Sequence, residues 1–269
     1  MEPSSLVTNV CLYAVGMLLI LLSIPVLTFV VELITAAVWQ TRSRQRADAP
    51  TSVTIGVLIP AHNEAACITA TLQSIMPQVR DCDRVLVVAD NCMDNTADLA
   101  RLQGAVVIER HNEQQRGKGY ALDCGLQHFA DVPPDVVIVI DADCDVKPGC
   151  LASLAQYAQQ QQCPVQATYI MSAQPEESLK DAISRFAVKI KNLVRPLGLK
   201  AWGQPCLLNG TGMAFPWAVI QQIDLATASI VEDMKMGLDL AIAGTPPQLC
   251  PEAVVTSLLP TNDTVSTQQ

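Results

Sequence analysis

From Val53 onward, short apolar runs alternate with helix-like stretches, and no other feature restricts the fold as tightly. The runs are VTIGVLIP, RVLVVAD, AVVIE and VVIVIDAD, with helices expected after Asn63, from Asp94 and from Gly117. Strands joined by helical crossovers pair in parallel, so the pattern predicts an α/β fold with a mostly parallel sheet. Val136 to Ile140 is apolar at every position, which suits a central strand covered on both faces. Hydrophobic residues make up 50% of the 269, ample for such a core.

In open α/β sheets ligands sit beyond the carboxyl ends of the strands, so the polar residues that end each run are the candidates for chemistry. The first run ends in Pro60-Ala61-His62-Asn63-Glu64, where Asn63 or Glu64 can bond a nucleoside or cap the next helix. The second ends with Asp90 as an acceptor at the strand tip and Asp94 at a helix start, a capping position. The third ends in Asp141-Ala142-Asp143-Cys144-Asp145. Carboxylates that close repel one another, and a divalent cation compensates them. Hard oxygen donors suit magnesium or manganese, which would in turn neutralise a diphosphate. Arg116-Gly117-Lys118-Gly119-Tyr120 is a cationic turn at a helix start, where Lys118 supplies charge for phosphate or merely a solvated face.

Before this series, Val10 to Val31 is free of charge and about long enough to cross a bilayer, with Pro25 expected to kink the helix. Arg42, Arg44 and Arg46 follow it and no Lys or Arg precedes it, which places the remainder on the cytoplasmic side of the cell membrane. The expected organisation is an anchor over residues 1–40, a polar linker over 41–52 and a folded domain over 53–269. The net charge of −9 disfavours nucleic acid as a partner. The 10 cysteines include no CxxC pair and no accompanying His cluster, so they read as scattered reduced thiols rather than a zinc site. Ser178 to Lys200 is basic and partly amphipathic, fitting either a solvated face or anionic headgroups.

Taken in order, VLIPAHNE, VVADNCMDNTADLAR, RGKGYALDCGL, VIDADCDVKPGCL, NGTGMAFPW and VEDMKMGLDLAIAG resemble the membrane-bound family-2 glycosyltransferases that build polysaccharides. The resemblance covers nearly everything from Val53 to Gly244 and implies the GT-A fold, Rossmann-like and continuous with an acceptor-binding portion. It implies inverting transfer of a sugar from a nucleotide diphosphate sugar, commonly a UDP-sugar, to a polysaccharide or lipid-linked acceptor. Pro60, Asn63, Glu64 and Asp90 then match the nucleoside contacts, with Lys118 near the diphosphate. Asp141 and Asp143 match a DxD pair, Asp143 being the direct ligand of Mg or Mn, and Asp141 also serves donor binding. Glu232-Asp233 resembles the ED motif, in which the aspartate is the base. Gly210, Thr211 and Gly212 fall on the acceptor side, with Trp217 placed to stack on a sugar or to fill a core. The family continues to a QxxRW motif, whereas this sequence stops at Gln268-Gln269, as if cut before it. Two other functions share this metal-binding architecture: a nucleotidyltransferase and an inactive nucleotide-sugar-binding protein.

Overall fold

The computed structural model describes residues 3–42, 52–173, 178–223, 225 and 232–258. Helix α1 spans Pro3–Arg42, so its 40 residues reach roughly 60 Å, about twice a hydrocarbon core. Its stretch Cys11–Val38 is long and apolar enough to cross a membrane, extending past the expected Val31. Large apolar side chains along it, from Leu12 to Val31, lie exposed. Pro25 sits inside the helix without ending it. The helix runs two residues beyond the expected anchor, and positions 43–51 of the expected linker lie outside the described residues.

The domain then follows the predicted alternation: β1 (Ile55–Ala61), α2 (Ile68–Ile75), β2 (Arg84–Asp90), α3 (Thr96–Leu102), β3 (Val106–Arg110), α4 (Lys118–Phe129) and β4 (Val136–Val139). Beyond it come β5 (Cys144–Val146), α5 (Cys150–Gln161), β6 (Val165–Met171), α6 (Leu179–Lys189), a π-helical turn (Ile190–Val194) and α7 (Arg195–Ala201). The last elements are β7 (Met213–Pro216), α8 (Trp217–Ile220), α9 (Glu232–Ile242) and β8 (Gln248–Ser257). The eight strands form one sheet in the order β3-β2-β1-β4-β7-β6-β8-β5. The β3-β2-β1-β4 half is wholly parallel, whereas β7 runs antiparallel to both β4 and β6, and β5 to β8. Parallel crossovers dominate the first half, and the strand direction changes where the sheet takes up its second.

Side chains alternate between the two faces, as a strand's period of two requires. Val57, Ile59, Val85, Val87 and Ile138 pack with α2 and α5 in one core. Leu58, Leu86, Val88, Val137 and Val139 pack with α4, α8 and α9 in the other. Covered on both faces, β4 needs its unbroken apolar run.

Helix α1 joins this domain through one face near its end, where Glu32 and Ala36 are buried while Ile34 and Val38 stay exposed. Glu32, only 4% exposed, accepts a hydrogen bond from Arg195 Nε at 2.7 Å. A β-carbon on Gly198 would stand 2.4 Å from the Glu32 carbonyl oxygen, so the helix backbones meet where only glycine fits. Pro196 lacks the N–H that an α-helix would offer to the Asn192 carbonyl, and the chain widens there, with Arg195 N–H bonding the Ile190 oxygen.

Candidate active site

Parallel pairing sets the tips of β1 and β4 side by side: Leu58 faces Val139, and Ile140 N–H extends the ladder to the Leu58 carbonyl at 3.1 Å. Glu64, just beyond β1, is thereby brought near Asp141 and Asp143. Burial pushes the Glu64 carboxyl up to about 7, helped by the negative charges of Asp143, Asp141 and Asp94. Its backbone N–H donates to Thr96 Oγ1 at 2.8 Å, and its carbonyl accepts the first bonds of α2 from Cys67 and Ile68. Pro60 stands half-buried one residue before the end of β1, paired with Val88, and the pairing runs on to Ala61 and Ala89.

The tips of β1 and β2 are tied together by short-range bonds. Asn63 adopts a φ of 56° and its Oδ1 accepts from Met93 N–H at 2.7 Å, so it holds the neighbouring loop rather than capping α2. The His62 ring bonds the Asp90 carbonyl at 2.7 Å. Asp90, 5% exposed, accepts from Arg110 Nη1 at 2.6 Å and from Asn91 Nδ2 at 3.1 Å. Asp94 accepts from Thr96 N–H at 3.0 Å and Ala65 N–H at 3.1 Å; it stands one residue before Asn95, the N-cap of α3, and ties the start of that helix to the loop after β1. Burial raises the Asp94 carboxyl, but the bonds from Thr96 and Ala65 outweigh it and hold the group below its ordinary value.

The third tip gathers residues from distant parts of the chain. Gly117 has a φ of 119° and opens α4, which aims Lys118 at the end of β4. Lys118 Nζ donates to Asp141 Oδ1 at 2.6 Å and to the Gly210 carbonyl at 2.7 Å. Gly210 has a φ of 84°, and a β-carbon there would lie 2.6 Å from Asp233 Oδ2 and 3.3 Å from Lys118 Nζ. Asp233, near the start of α9, therefore sits against the same glycine as Lys118, and its Oδ1 is buried without a hydrogen-bond partner among the described residues. Burial pushes the Asp141 carboxyl up; Lys118 opposes this, while Asp143 and Asp233 reinforce it.

Thr211 and Gly212 serve this corner from behind. Thr211 is buried and its Oγ1 accepts from Asp141 N–H at 3.0 Å, fixing the start of the carboxylate loop. Gly212 has a φ of 65° and its carbonyl accepts from Ala167 N–H at 2.7 Å. The buried Gln166 binds the Thr211 carbonyl through Nε2 at 2.9 Å and the Asn209 N–H through Oε1 at 2.9 Å, shaping the NGTG loop from β6. Gln166 was not foreseen; a polar residue in the otherwise apolar or small run VQA was its only sequence signal.

Of the two places expected for Trp217, beside an acceptor sugar or in a core, it takes the core and lies away from the acceptor side. Because β7 runs antiparallel to β4, Met213 faces Val139 near the site and Pro216 faces Val136 at the far end. Trp217 N–H bonds the Asp135 carbonyl at 2.9 Å, and its side chain packs on the core. From Asp135 to Asp141 is roughly 20 Å at the rise of a strand. Trp217 is a core residue at the opposite edge. Glu232 begins α9, and its side chain lies outside the described residues. A pocket of about 330 Å³ opens beside Asp233, lined by Leu122, Ile223, Leu225, Met236 and Leu240 among others.

Among the described residues no three His, Cys, Asp or Glu side chains form a metal cluster. Asp141 and Asp143 nevertheless offer oxygen donors alone, and Asp143 is exposed and makes no ion pair among the described residues. Two carboxylates without a third suit a magnesium-like ion that completes its shell with water and substrate phosphates.

The sequence matches the family described as Glycosyltransferase like family 2 over residues 50–269, and the chain belongs to that family. It is 26% identical over 208 residues to the 4,4'-diaponeurosporenoate glycosyltransferase of Staphylococcus haemolyticus, covering 72% of this chain and 53% of that one. It is 36% identical over 97 residues to the probable glycosyltransferase YdaM of Bacillus subtilis, covering 33% of this chain and 22% of that one. The chain thus spans about half the length, or less, of these curated relatives. Its fold is similar to that of a mannosyltransferase from Pyrobaculum calidifontis solved with GDP-Man and Mn2+, with a TM-score of 0.58 and 18% identity over 90% of this chain and 68% of the other. Glucosyl-3-phosphoglycerate synthase from Mycobacterium tuberculosis, solved with Mn2+ and UDP, gives a TM-score of 0.52 and 22% identity over 80% and 74%. The expected α/β architecture of the GT-A type is the fold observed.

Proposed function

We propose that this chain carries the catalytic domain of an inverting, metal-dependent glycosyltransferase. It takes a sugar from a nucleotide diphosphate donor, UDP-linked in our reading, and passes it to a polysaccharide or lipid-linked acceptor at the cytoplasmic membrane face. The observation that carries the proposal is the convergence on Gly210: Lys118 from α4, Asp141 from the β4 tip and Asp233 from α9 meet around one glycine. Pro60, Asn63 and Glu64 form the nucleoside side, with Asp90 acting through the Arg110 pair that shapes this wall. Lys118 faces the diphosphate, Asp143 and Asp141 would hold Mg or Mn, and that ion would supply charge to the leaving phosphates. Asp233, with an unbonded buried oxygen, is placed to take the proton of the acceptor hydroxyl as the anomeric carbon is attacked. Glu232 assists from the start of α9. The pocket beside Asp233 is lined by Leu122, Ile223, Leu225, Met236 and Leu240 together with Gln222, Lys235 and Asp239, which favours an acceptor with both an apolar and a polar portion.

The donor and metal are supported by the solved neighbours, one holding GDP-Man and another UDP, each with Mn2+. The domain organisation follows the sequence: residues 1–40 anchor, 41–52 link and 53–269 form the transferase domain. The deciding experiment incubates the intact membrane protein with donors labelled in the sugar or in the nucleotide, with manganese or with chelator. Sugar appearing in acceptor only with the metal is the expected result. Transfer of the nucleotide would establish a nucleotidyltransferase instead, and binding without transfer would leave a nucleotide-sugar-binding protein. Asp143→Ala should remove the metal dependence of nucleotide affinity measured by calorimetry.

A further inference from the structure

Helix α6 shows the reverse of what a helix packed on a soluble domain shows. None of its side chains is buried, and its large apolar ones point outward: Leu179 is 79%, Ile183 61% and Phe186 64% exposed. Spaced at i, i+4 and i+7, these three form one continuous stripe. Lysines edge it on both sides, Lys180 and Lys191 on one flank and Lys189 on the other, all exposed. The acid of this helix, Asp181, is taken up by Ser178 in a capping box. Ser178 to Lys200 holds six of the chain's 17 Lys and Arg in a protein of net charge −9, so basic charge is concentrated here against the overall balance.

The stripe also has a defined place. The turn after α6 and then α7 pack on one face of α1 near the end of its apolar span Cys11–Val38, fixed by the Glu32–Arg195 bond and the Gly198 contact. Glu32 and Ala36 are buried in this seat, while Ile34 and Val38 on the other side of the helix stay exposed like the large apolar side chains before them. An apolar stripe flanked by lysines, attached at that level, matches a helix lying in a membrane interface with its amines reaching the headgroups.

We infer that α6 lies on the bilayer that α1 crosses, with Leu179, Ile183 and Phe186 among the acyl chains and Lys180, Lys189 and Lys191 on anionic phospholipid headgroups. This rests on the reading of α1 as membrane-spanning. The domain is thereby held by two attachments, which fix the height of Asp233 and its pocket relative to the membrane.

The test uses the full chain reconstituted in vesicles of phosphatidylcholine with phosphatidylglycerol, carrying a photoreactive benzophenone side chain at Phe186, at Leu21 or at the exposed Met93. Lipid adducts detected by mass spectrometry should form at Phe186 and Leu21, several-fold above Met93. Adducts at Leu21 with none at Phe186 would overturn the α6 inference while leaving the anchor standing. None at either position would overturn both, without bearing on sugar transfer, which is assayed separately. Crosslinks from Phe186 to a second copy, or to residues 259–269 of the same chain, would name a different occupant of the stripe and refute the lipid. Replacing Lys180, Lys189 and Lys191 with Gln should lower the Phe186 adduct by about fivefold per lysine in phosphatidylglycerol vesicles and leave it unchanged in pure phosphatidylcholine. Equal adduct from wild type and this variant would remove the headgroup contact.

Discussion

The acids at the tip of β2 and those at the tip of β4 look alike in sequence and differ in what surrounds them. Asp90 is buried against Arg110 and Asn91, and Asp94 is saturated by Thr96 and Ala65. At the tip of β4, Asp141 holds Lys118 but faces Asp143, Asp233 and Glu64, whose charges accumulate around the Lys118 ammonium. An acid with its own partners stabilises a loop, whereas a crowd of acids short of positive charge stays available to a proton or a cation. In the function proposed above, the β2 tip is therefore scaffold, and the β4 tip together with Asp233 is where we place the reaction.

The largest effect that can break this contrast comes from Asp233→Asn. The amide keeps the shape beside Gly210 and removes the base, so transfer should fall by about two to four orders of magnitude while nucleotide affinity stays near wild type. Near-normal turnover by the folded variant would put the base elsewhere and leave the unbonded carboxylate oxygen without a catalytic role.

Next in size, the two ion pairs should separate stability from binding. Arg110→Ala strands the buried Asp90 carboxylate and should cost about 3–5 kcal/mol in urea unfolding. Lys118→Ala acts on a pair that is less buried, 25% and 34% exposed, and should cost less, about 1 kcal/mol, yet weaken nucleotide affinity markedly. If the two variants lost stability equally and bound nucleotide equally, the division into scaffold and reactive acids would fail.

The strands were legible where burial dictates pattern. RVLVVAD is β2 to the residue, and the all-apolar Val136–Val139 is β4, because a strand covered on both faces admits no polar position. Direction was not legible beyond β4. A short strand reads the same whether it pairs parallel or antiparallel, and the reversal of β7 is what carries Trp217 to the far edge while its neighbours Gly210 to Gly212 stay in the site. The acids of the site were visible as strand-end residues, but the way each is compensated was not. Arg110, Thr96 and Thr211 act across distances of up to 70 positions and have no local signature, and Gln166 shows only as a polar residue in an apolar or small run. The Glu32–Arg195 contact, 163 positions apart, was hidden for the same reason.

The smallest effect concerns Glu64, which stands between the two groups of acids. Its carboxyl is raised from 4.5 to about 7 in the folded protein, first by burial and then by Asp143, Asp141 and Asp94. Below pH 4.5 it is protonated in both states and contributes nothing to the pH dependence. As pH rises from 4.5 to about 7 the unfolded chain releases the proton while the folded one keeps it, so stability falls across that window and is flat above it. The half-buried position leaves water to screen the charge, so the loss should be on the order of 1–2 kcal/mol, less than the bare shift implies. Glu64→Gln removes this titration: urea unfolding at the two ends of the window should show the variant gaining on wild type at the alkaline end. Manganese should narrow the same gap, since a cation at Asp143 and Asp141 relieves the repulsion that adds to burial in holding the proton on Glu64. A variant whose pH profile parallels wild type, with or without manganese, would show that Glu64 belongs with the self-contained acids of β2 and not with the crowd at β4.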